Sequence, residues 1–458
     1  MTMNERSVMI VAGTRPEVIK LAPVIWSLEK LGVDYIFIWS GQHFDYEMSR
    51  IFFEQLRLPE PDEYLNIGFQ SLDVTQQVEM LIHGISNVIK KREPKYVYAL
   101  GDTNTVLASA LASVYMMKPF IHDEAGMRSF DLSMLEEVNR KIADSIASFR
   151  LSPTKIAVLN LLYEGIPLST IRLVGSTVVD TLLYVISRNL LKREVFEEYD
   201  LDPLNYILIT IHRRENLTEK RILNIISILI KIATSLPEYK IIFPIHPHTR
   251  KKLQETGLIE KVKEFKNILL TKPFGYLEFI TLLKEACVVV TDSGGVQEEA
   301  FLLGKKIVTL REITEWPETV ILGYNHLASP DNVAEATDLI NYKISKASEL
   351  EPPQLSTCPL GDGNSGWRIA KLLKLFLENK IKISNNIKGY PLPKLKNISD
   401  HPALCFKNGQ PFIYQGLEKM SPEIVCLARE NLTKEEMLNV ISVNWMEINK
   451  IIEEERNI

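Results

Sequence analysis

The chain alternates short apolar runs with amphipathic helical stretches, and does so in two successive series. SVMIVA (7–12), YIFIWS (35–40), YVYAL (96–100), PFIH (119–122) and FRLS (149–152) belong to the first. YILITI (206–211), KIIFPI (240–245) and CVVVT (287–291) belong to the second. Strand, helix and strand in repeated succession make βαβ units, whose parallel sheet is covered by helices on both faces. The series restarts near residue 180, so two similar doubly wound α/β domains are expected, 1–177 and 178–380.

The first helix shows how local signals agree. Thr14 and Glu17 have the spacing of a capping box, and Pro16 lies in the first turn, where its missing N–H costs nothing. Val18, Leu21, Ala22, Ile25 and Leu28 form one apolar face, and Gly32 is the expected stop. Gly13, Thr14 and Arg15 therefore occupy a loop from a strand end to a helix start.

After about residue 380 the alternation ends. NNIKGYPLPKLKNISDHPAL (385–404) reads as a polar, proline-containing linker. FKNGQPFIYQG predicts a hairpin with an Asn-Gly turn, and TKEEMLNVISVNWMEINKIIEEE predicts a final helix. Residues 381–458 are expected to form a small appended module of unassigned role.

The net charge of −5 excludes general electrostatic attraction to nucleic acid, so any anionic ligand must be held by local Arg and Lys. Cys287, Cys358, Cys405 and Cys426 form no CxxC pair, which argues against a disulfide framework or zinc site and fits a reducing cytoplasm. No run has the length of a membrane helix, and the N-terminus reaches a strand and a glycine turn too early for a secretory signal. No nucleic-acid partner, membrane insertion or catalytic metal is expected.

In open parallel sheets, ligands bind beyond the carboxyl ends of the strands. The polar clusters GTRPEVIK (13–20), GQH (41–43), GDTNT (101–105), HDEAGMRS (122–129), HRREN (212–216), HPHTR (246–250) and TDSGGVQEEA (291–300) all fall at such ends. Ser293, Gly294 and Gly295 open a helix after CVVVT, a place suited to phosphate because helix-start N–H groups are free there. Glu298 or Glu299 could take hydrogen bonds from a ribose. Arg15, Lys20, His212, Arg213 and Arg214 are candidate anion contacts; the bland alternative makes them surface cations paired with nearby acids. Asp102, Glu124 and the pair Glu136–Glu137 each read alone as a cap or solvated acid. Together they point to proton transfer and to stabilisation of a cationic transition state.

These residues resemble the non-hydrolysing UDP-N-acetylglucosamine 2-epimerases. The resemblance rests on GTRPEVIKLAPVI, GDTNT, HDEAGMRS with EEVNR, VGSTVVDTL, HRREN, TDSGGVQEEA with REITEWPETV, and GDGNSGWRIA, in that order over residues 7–375. It implies two Rossmann-like domains of the glycosyltransferase-B type with an interdomain cleft. It also implies a cytoplasmic homodimer without cofactor that interconverts UDP-GlcNAc and UDP-ManNAc through elimination and re-addition of UDP. Matched positions make Asp102, Glu124, Glu136 and His212 catalytic. Arg15, Lys20, Arg140, Ser293, Gly294, Gly295, Glu299, Phe279 and Trp316 would contact the UDP-sugar. Gln42 and His246 fit the family's second, allosteric nucleotide-sugar site.

The chain departs from the family pattern in two ways near the implied centre. Trp316 stands where the family has an arginine, and an indole cannot act as a forked cation. The loop before Glu136–Glu137 is short and lacks the usual proline, which leaves either glutamate as the catalytic acid. Two other activities remain open: 2-epimerisation of a modified UDP-HexNAc, and glycosyl transfer on the same fold.

Overall fold

The computed structural model describes residues 7–41, 46–67, 73–346, 350–381, 403–407, 410–414, 425–426 and 441–454. The chain divides into two compact units. The first comprises Met1–Leu183 with Gln354–Ile458, and the second Tyr184–Pro353.

In the first unit, a seven-stranded sheet runs in the order β3-β2-β1-β4-β5-β6-β7. Its strands are β1 (Val8–Ala12), β2 (Tyr35–Trp39), β3 (Glu63–Tyr64), β4 (Tyr96–Leu100), β5 (Phe120–Asp123), β6 (Phe149–Ser152) and β7 (Ile171–Leu173). All neighbours are parallel. Strands β1 and β4 are buried throughout, as expected when helices cover both faces.

The second unit repeats the plan. Strands β8 (Tyr206–Thr210), β9 (Lys240–Pro244), β10 (Ile268–Thr271), β11 (Val288–Thr291), β12 (Lys306–Thr309) and β13 (Asn325–Leu327) form a parallel sheet in the order β10-β9-β8-β11-β12-β13. In each unit the chain winds outward from the middle in one direction and then in the other. The order reverses between β1 and β4, and between β8 and β11. Helices on either side part at that reversal and leave a crevice at the strands' carboxyl ends.

The first helix is Arg15–Leu31, with Gly32 at φ +62° ending it. Its buried face contains Val18, Leu21, Ala22, Ile25 and Leu28. The Glu17 carboxylate accepts the N–H groups of Gly13 at 2.7 Å and Thr14 at 2.8 Å. It also accepts the Thr103 hydroxyl at 2.6 Å, tying the β1 loop to the β4 loop.

The division differs from the expected 177/178 and 380/381 boundaries. Helix Ser365–Leu377 returns to the first unit and lies along Arg15–Leu31, so residues 354–380 belong there. Gly366 is required by this approach: a Cβ at that position would lie 2.5 Å from the Pro23 carbonyl. Lys374 donates to the Leu31 carbonyl at 2.8 Å, and Ser176 N–H to the Leu360 carbonyl at 2.6 Å. The sequence boundary followed the strand series, whereas this helix's apolar face has its partner in the first unit.

The appended module contains an antiparallel sheet of β14 (Ala403–Lys407), β15 (Gln410–Tyr414) and β16 (Val425–Cys426). Lys407 opposes Gln410, as a hairpin requires; the Asn408–Gly409 turn itself lies outside the described residues. So does most of the 385–404 linker. Of the helical stretch expected over 433–455, a helix spans Trp445–Glu454 and is seated on the first unit; Ser442–Asn444 are not helical, and 433–440 lie outside the described residues. Trp445 is 1% exposed, donates its indole N–H to the Cys358 carbonyl at 2.8 Å, and carries the Arg368 guanidinium 4.5 Å above its ring. Arg368 also donates to Asn449 at 2.6 Å, and the Lys155 ammonium to the Ser442 carbonyl. Among the described residues, no helix is long and apolar enough to cross a membrane.

Candidate functional site

The first unit brings Asp102 and Glu124 to the carboxyl ends of β4 and β5, and β4 borders the β1–β4 reversal. Gly101 follows β4 at φ +94°, a conformation that glycine adopts without strain, and Asp102 comes next. Asp102 pairs with Arg140, and its carbonyl accepts Asn139 Nδ2 at 3.0 Å. Arg140 reaches Glu137 as well, at 2.8 Å. Thus Arg140, expected to contact substrate, spans two carboxylates of its own unit.

Glu124 leaves β5 at φ +60°, a strained angle for a residue with a side chain. Its carboxylate is held by Lys20 at 2.6 and 2.7 Å. Arg15 and Lys20 are both half-buried on the helix that follows β1. Lys20 thereby joins the acid cluster through Glu124, a contact that the sequence reading did not foresee.

The neighbours of Glu124 are buried and paired. His122 is fully buried, its Nδ1 2.7 Å from Asp144 and its Nε2 2.8 Å from the Gly101 carbonyl. Arg128 pairs with Asp144 at 2.7 Å and with Glu164 at 2.5 Å. Burial alone would push the Asp144 carboxyl up, but His122 and Arg128 outweigh it and hold it below the ordinary range. Asp123 accepts the Tyr98 hydroxyl at 2.5 Å. Burial first, and then the nearby Glu124 charge, push Asp123 up to about 7. His122, Asp123 and Arg128 of HDEAGMRS thus all bond within their own unit.

The two glutamates left open by sequence differ in environment. Glu137 is fully enclosed and accepts Ser129 N–H at 2.9 Å, Phe130 N–H at 3.2 Å and Arg140. Glu136, one residue earlier on helix Leu135–Ile146, is half-buried.

In the second unit, Ser293 occupies the N-cap position of helix Gly294–Leu302, without a side-chain capping hydrogen bond, two residues after β11 and beside the β8–β11 reversal. A Cβ on Gly295 would meet nothing within 4 Å, so there is open space beside that position of the first helical turn. A Cβ on Gly294 would lie 3.6 Å from Glu315, 3.8 Å from the Trp316 indole nitrogen and 3.9 Å from Arg213. Trp316 is thus buried against this turn. Glu315 sits between Arg311 at 2.8 Å and Arg213 at 3.5 Å, so two cations share one carboxylate there.

Asp292 organises the HRREN loop. It accepts the N–H groups of His212 at 3.1 Å and Arg213 at 3.0 Å, and Asn216 Nδ2 at 3.1 Å. His212 Nδ1 lies 3.4 Å from the same carboxylate, and 41% of its side chain is exposed. The sequence signal for Asp292 is its place in TDSGGVQEEA, where Ser293, the two glycines and the glutamates are the residues singled out.

Glu299 lies against Tyr276; burial, with Glu299 and Glu298 alongside, holds that phenol far above its usual range. Phe279 is half-buried on the same helix, Tyr276–Glu285. His246 caps helix Pro247–Glu255, stacks on His248 at 5.2 Å and lies 6.3 Å from His212 between ring centroids. Gln42 lies outside the described residues.

Comparison with known proteins adds a family. The family model described as UDP-N-acetylglucosamine 2-epimerase matches residues 27–374. A Methanocaldococcus jannaschii UDP-N-acetylglucosamine 2-epimerase is 43% identical over 368 residues, covering 80% of this chain and 98% of that protein. A Pseudomonas aeruginosa UDP-2,3-diacetamido-2,3-dideoxy-D-glucuronate 2-epimerase is 36% identical, covering 80% of this chain and 99% of that one. The solved structure of the Methanocaldococcus jannaschii enzyme, in complex with UDP-GlcNAc and UDP, superposes with a TM-score of 0.74 at 41% identity, covering 80% of this chain and 99% of that chain. With its paired Rossmann-like sheets, its strand-end acids and its match across most of its length, the chain belongs to the UDP-N-acetylglucosamine 2-epimerase family.

Proposed function

We propose that the protein interconverts UDP-GlcNAc and UDP-ManNAc by inverting C2 of the sugar. One observation supports this most: both strand-order reversals are lined by residues suited to this chemistry, with acids after β4 and β5 in the first unit and a glycine helix start beside Arg213 in the second.

The C2–H bond is only weakly acidic, so cleavage of the C1–O bond must run ahead of proton removal. The C1–O pair leaves with UDP, the C2 proton passes to a carboxylate, and a C1=C2 bond forms in a 2-acetamidoglucal. A proton then returns to the other face of C2, and a UDP oxygen re-forms the bond to C1. Asp102, Glu124 and Glu136 would stabilise the cationic ring and carry the proton. The Ser293–Gly295 amides, Arg213 and His212 would stabilise departing UDP, with Arg15 at the nucleotide or sugar, Glu299 at the ribose and Phe279 near the uracil. The protein is proposed to work in the cytoplasm as a homodimer.

Proton NMR of the protein with UDP-GlcNAc in D2O tests the reading. UDP-ManNAc should appear, and C2 should gain deuterium in both sugars. Absence of both overturns it. A second reading, the same inversion on a modified UDP-HexNAc, is favoured by Trp316 packed at the phosphate turn. A panel of UDP-sugars separates the two, and transfer to an acceptor without free epimer would instead indicate a glycosyltransferase.

A further inference from the structure

Glu137 accepts four hydrogen bonds: from Ser129 N–H at 2.9 Å, the Ser129 hydroxyl at 3.0 Å, Phe130 N–H at 3.2 Å and Arg140 Nη1 at 2.8 Å. It is 0% exposed. A carboxylate so enclosed cannot reach a sugar without dismantling its own loop. Its partners lie in two directions. Towards the loop, it holds Phe130, which is exposed yet sits at φ +62°. That angle strains a residue with a side chain, so it persists only where surrounding bonds impose it. Towards the site, it holds Arg140, whose other guanidinium nitrogen pairs with Asp102. Asn139, the residue before Arg140, grips the Asp102 carbonyl and Asn104.

We propose that Glu137 is a positioning residue of the epimerase reaction. It aims Arg140, and through Arg140 the Asp102 carboxylate, and it sets the 129–134 loop that leads into Glu136. It exchanges no proton with the substrate. The proposal rests on the epimerase reading above for its kinetic part only. Physically, Arg140 is a rigid fork between two acids. Anchoring one tine on the buried acid fixes where the other tine can hold the half-exposed one.

The experiment compares Glu137→Gln and Glu137→Ala in the wild-type background, and Glu137→Gln in an Arg140→Lys background. Turnover is followed by deuterium entry at C2, which reads low rates. Glu137→Gln should lower kcat about 10- to 100-fold and change KM by less than about threefold, because misplacement of a reacting group acts mainly on the chemical step. In the Arg140→Lys background the same change should cost less than about threefold, since a lysine cannot fork between both acids. Equal costs in the two backgrounds, or unchanged kcat, overturn the proposal.

The second readout needs no activity. Hydrogen exchange at Ser129 and Phe130 should accelerate in Glu137→Ala relative to wild type, with β1 and β4 unchanged. Unchanged exchange in the loop overturns the proposal even if the wild-type protein turns over none of the sugars offered.

Discussion

The Lys20 ammonium lies 2.6 and 2.7 Å from the carboxylate oxygens of Glu124, joining the helix after β1 to the end of β5. Both side chains are largely shielded, at 19% and 12% exposure, so solvent does little to weaken the pair. Lys20→Met would leave Glu124 unheld at its strained backbone position. Turnover should fall by about 100-fold, the scale of a misplaced catalytic group, while UDP affinity stays within about threefold. Kinetics with UDP-GlcNAc alongside UDP titration calorimetry measures both; intact turnover would refute a role for this pair.

Asp292 is the second unit's counterpart. It accepts two backbone N–H groups and an amide from the His212–Asn216 loop. Each hydrogen bond to a charged group contributes about 1.5–3 kcal/mol, so Asp292→Ala should release the loop and weaken UDP binding about 10-fold or more. Calorimetry with UDP is the check, and an unaltered Kd would show that the loop needs no such anchor.

Asp123 makes stability depend on pH. Its folded carboxyl titrates at about 7, against 3.8 ordinarily. Between those values the folded state binds more protons than the unfolded one, so this group's contribution falls as pH rises through the window and levels off above it. Glu17, also raised by burial, acts in the same direction. Asp123→Asn should flatten the decline by up to about 1.4 kcal/mol per pH unit. Urea unfolding of both proteins at pH 5 and pH 7 measures this, and identical slopes would contradict it.

The appended helix should contribute to the stability of the first unit. Trp445 combines near-complete burial, an indole hydrogen bond and an Arg368 stack. Trp445→Ala should cost about 3–5 kcal/mol, the range for large-to-alanine changes in a packed core. Met446, one residue on and 81% exposed, should tolerate alanine within about 0.5 kcal/mol. Urea midpoints of the two variants make the comparison, and equal midpoints would mean that the helix is not firmly seated.

Much of this protein is decided within a few residues of chain. Apolar alternation produces buried strands because backbone groups inside a sheet must be paired. Thr14, Pro16, Glu17 and Gly32 start and stop a helix through contacts no longer than one turn. The seven polar clusters stood out because each interrupts an apolar strand at its end, and the family resemblance rests on those same residues.

Partner choice is a different matter. Lys20 and Glu124 are 104 residues apart, and they meet because the strand order sets β1 beside β4 and β4 beside β5. Glu136 and Glu137 are adjacent and identical in sequence, yet helical rotation buries one against Ser129 and Arg140 and leaves the other half-exposed. Helix Ser365–Leu377 looks in sequence like the end of the second strand series, but its apolar face finds its cover in the first unit. The sequence by itself determined the elements and the residue types at their ends. Only the tertiary structure decided which charge meets which, because that depends on strand order and helix facing over distances that no local pattern encodes.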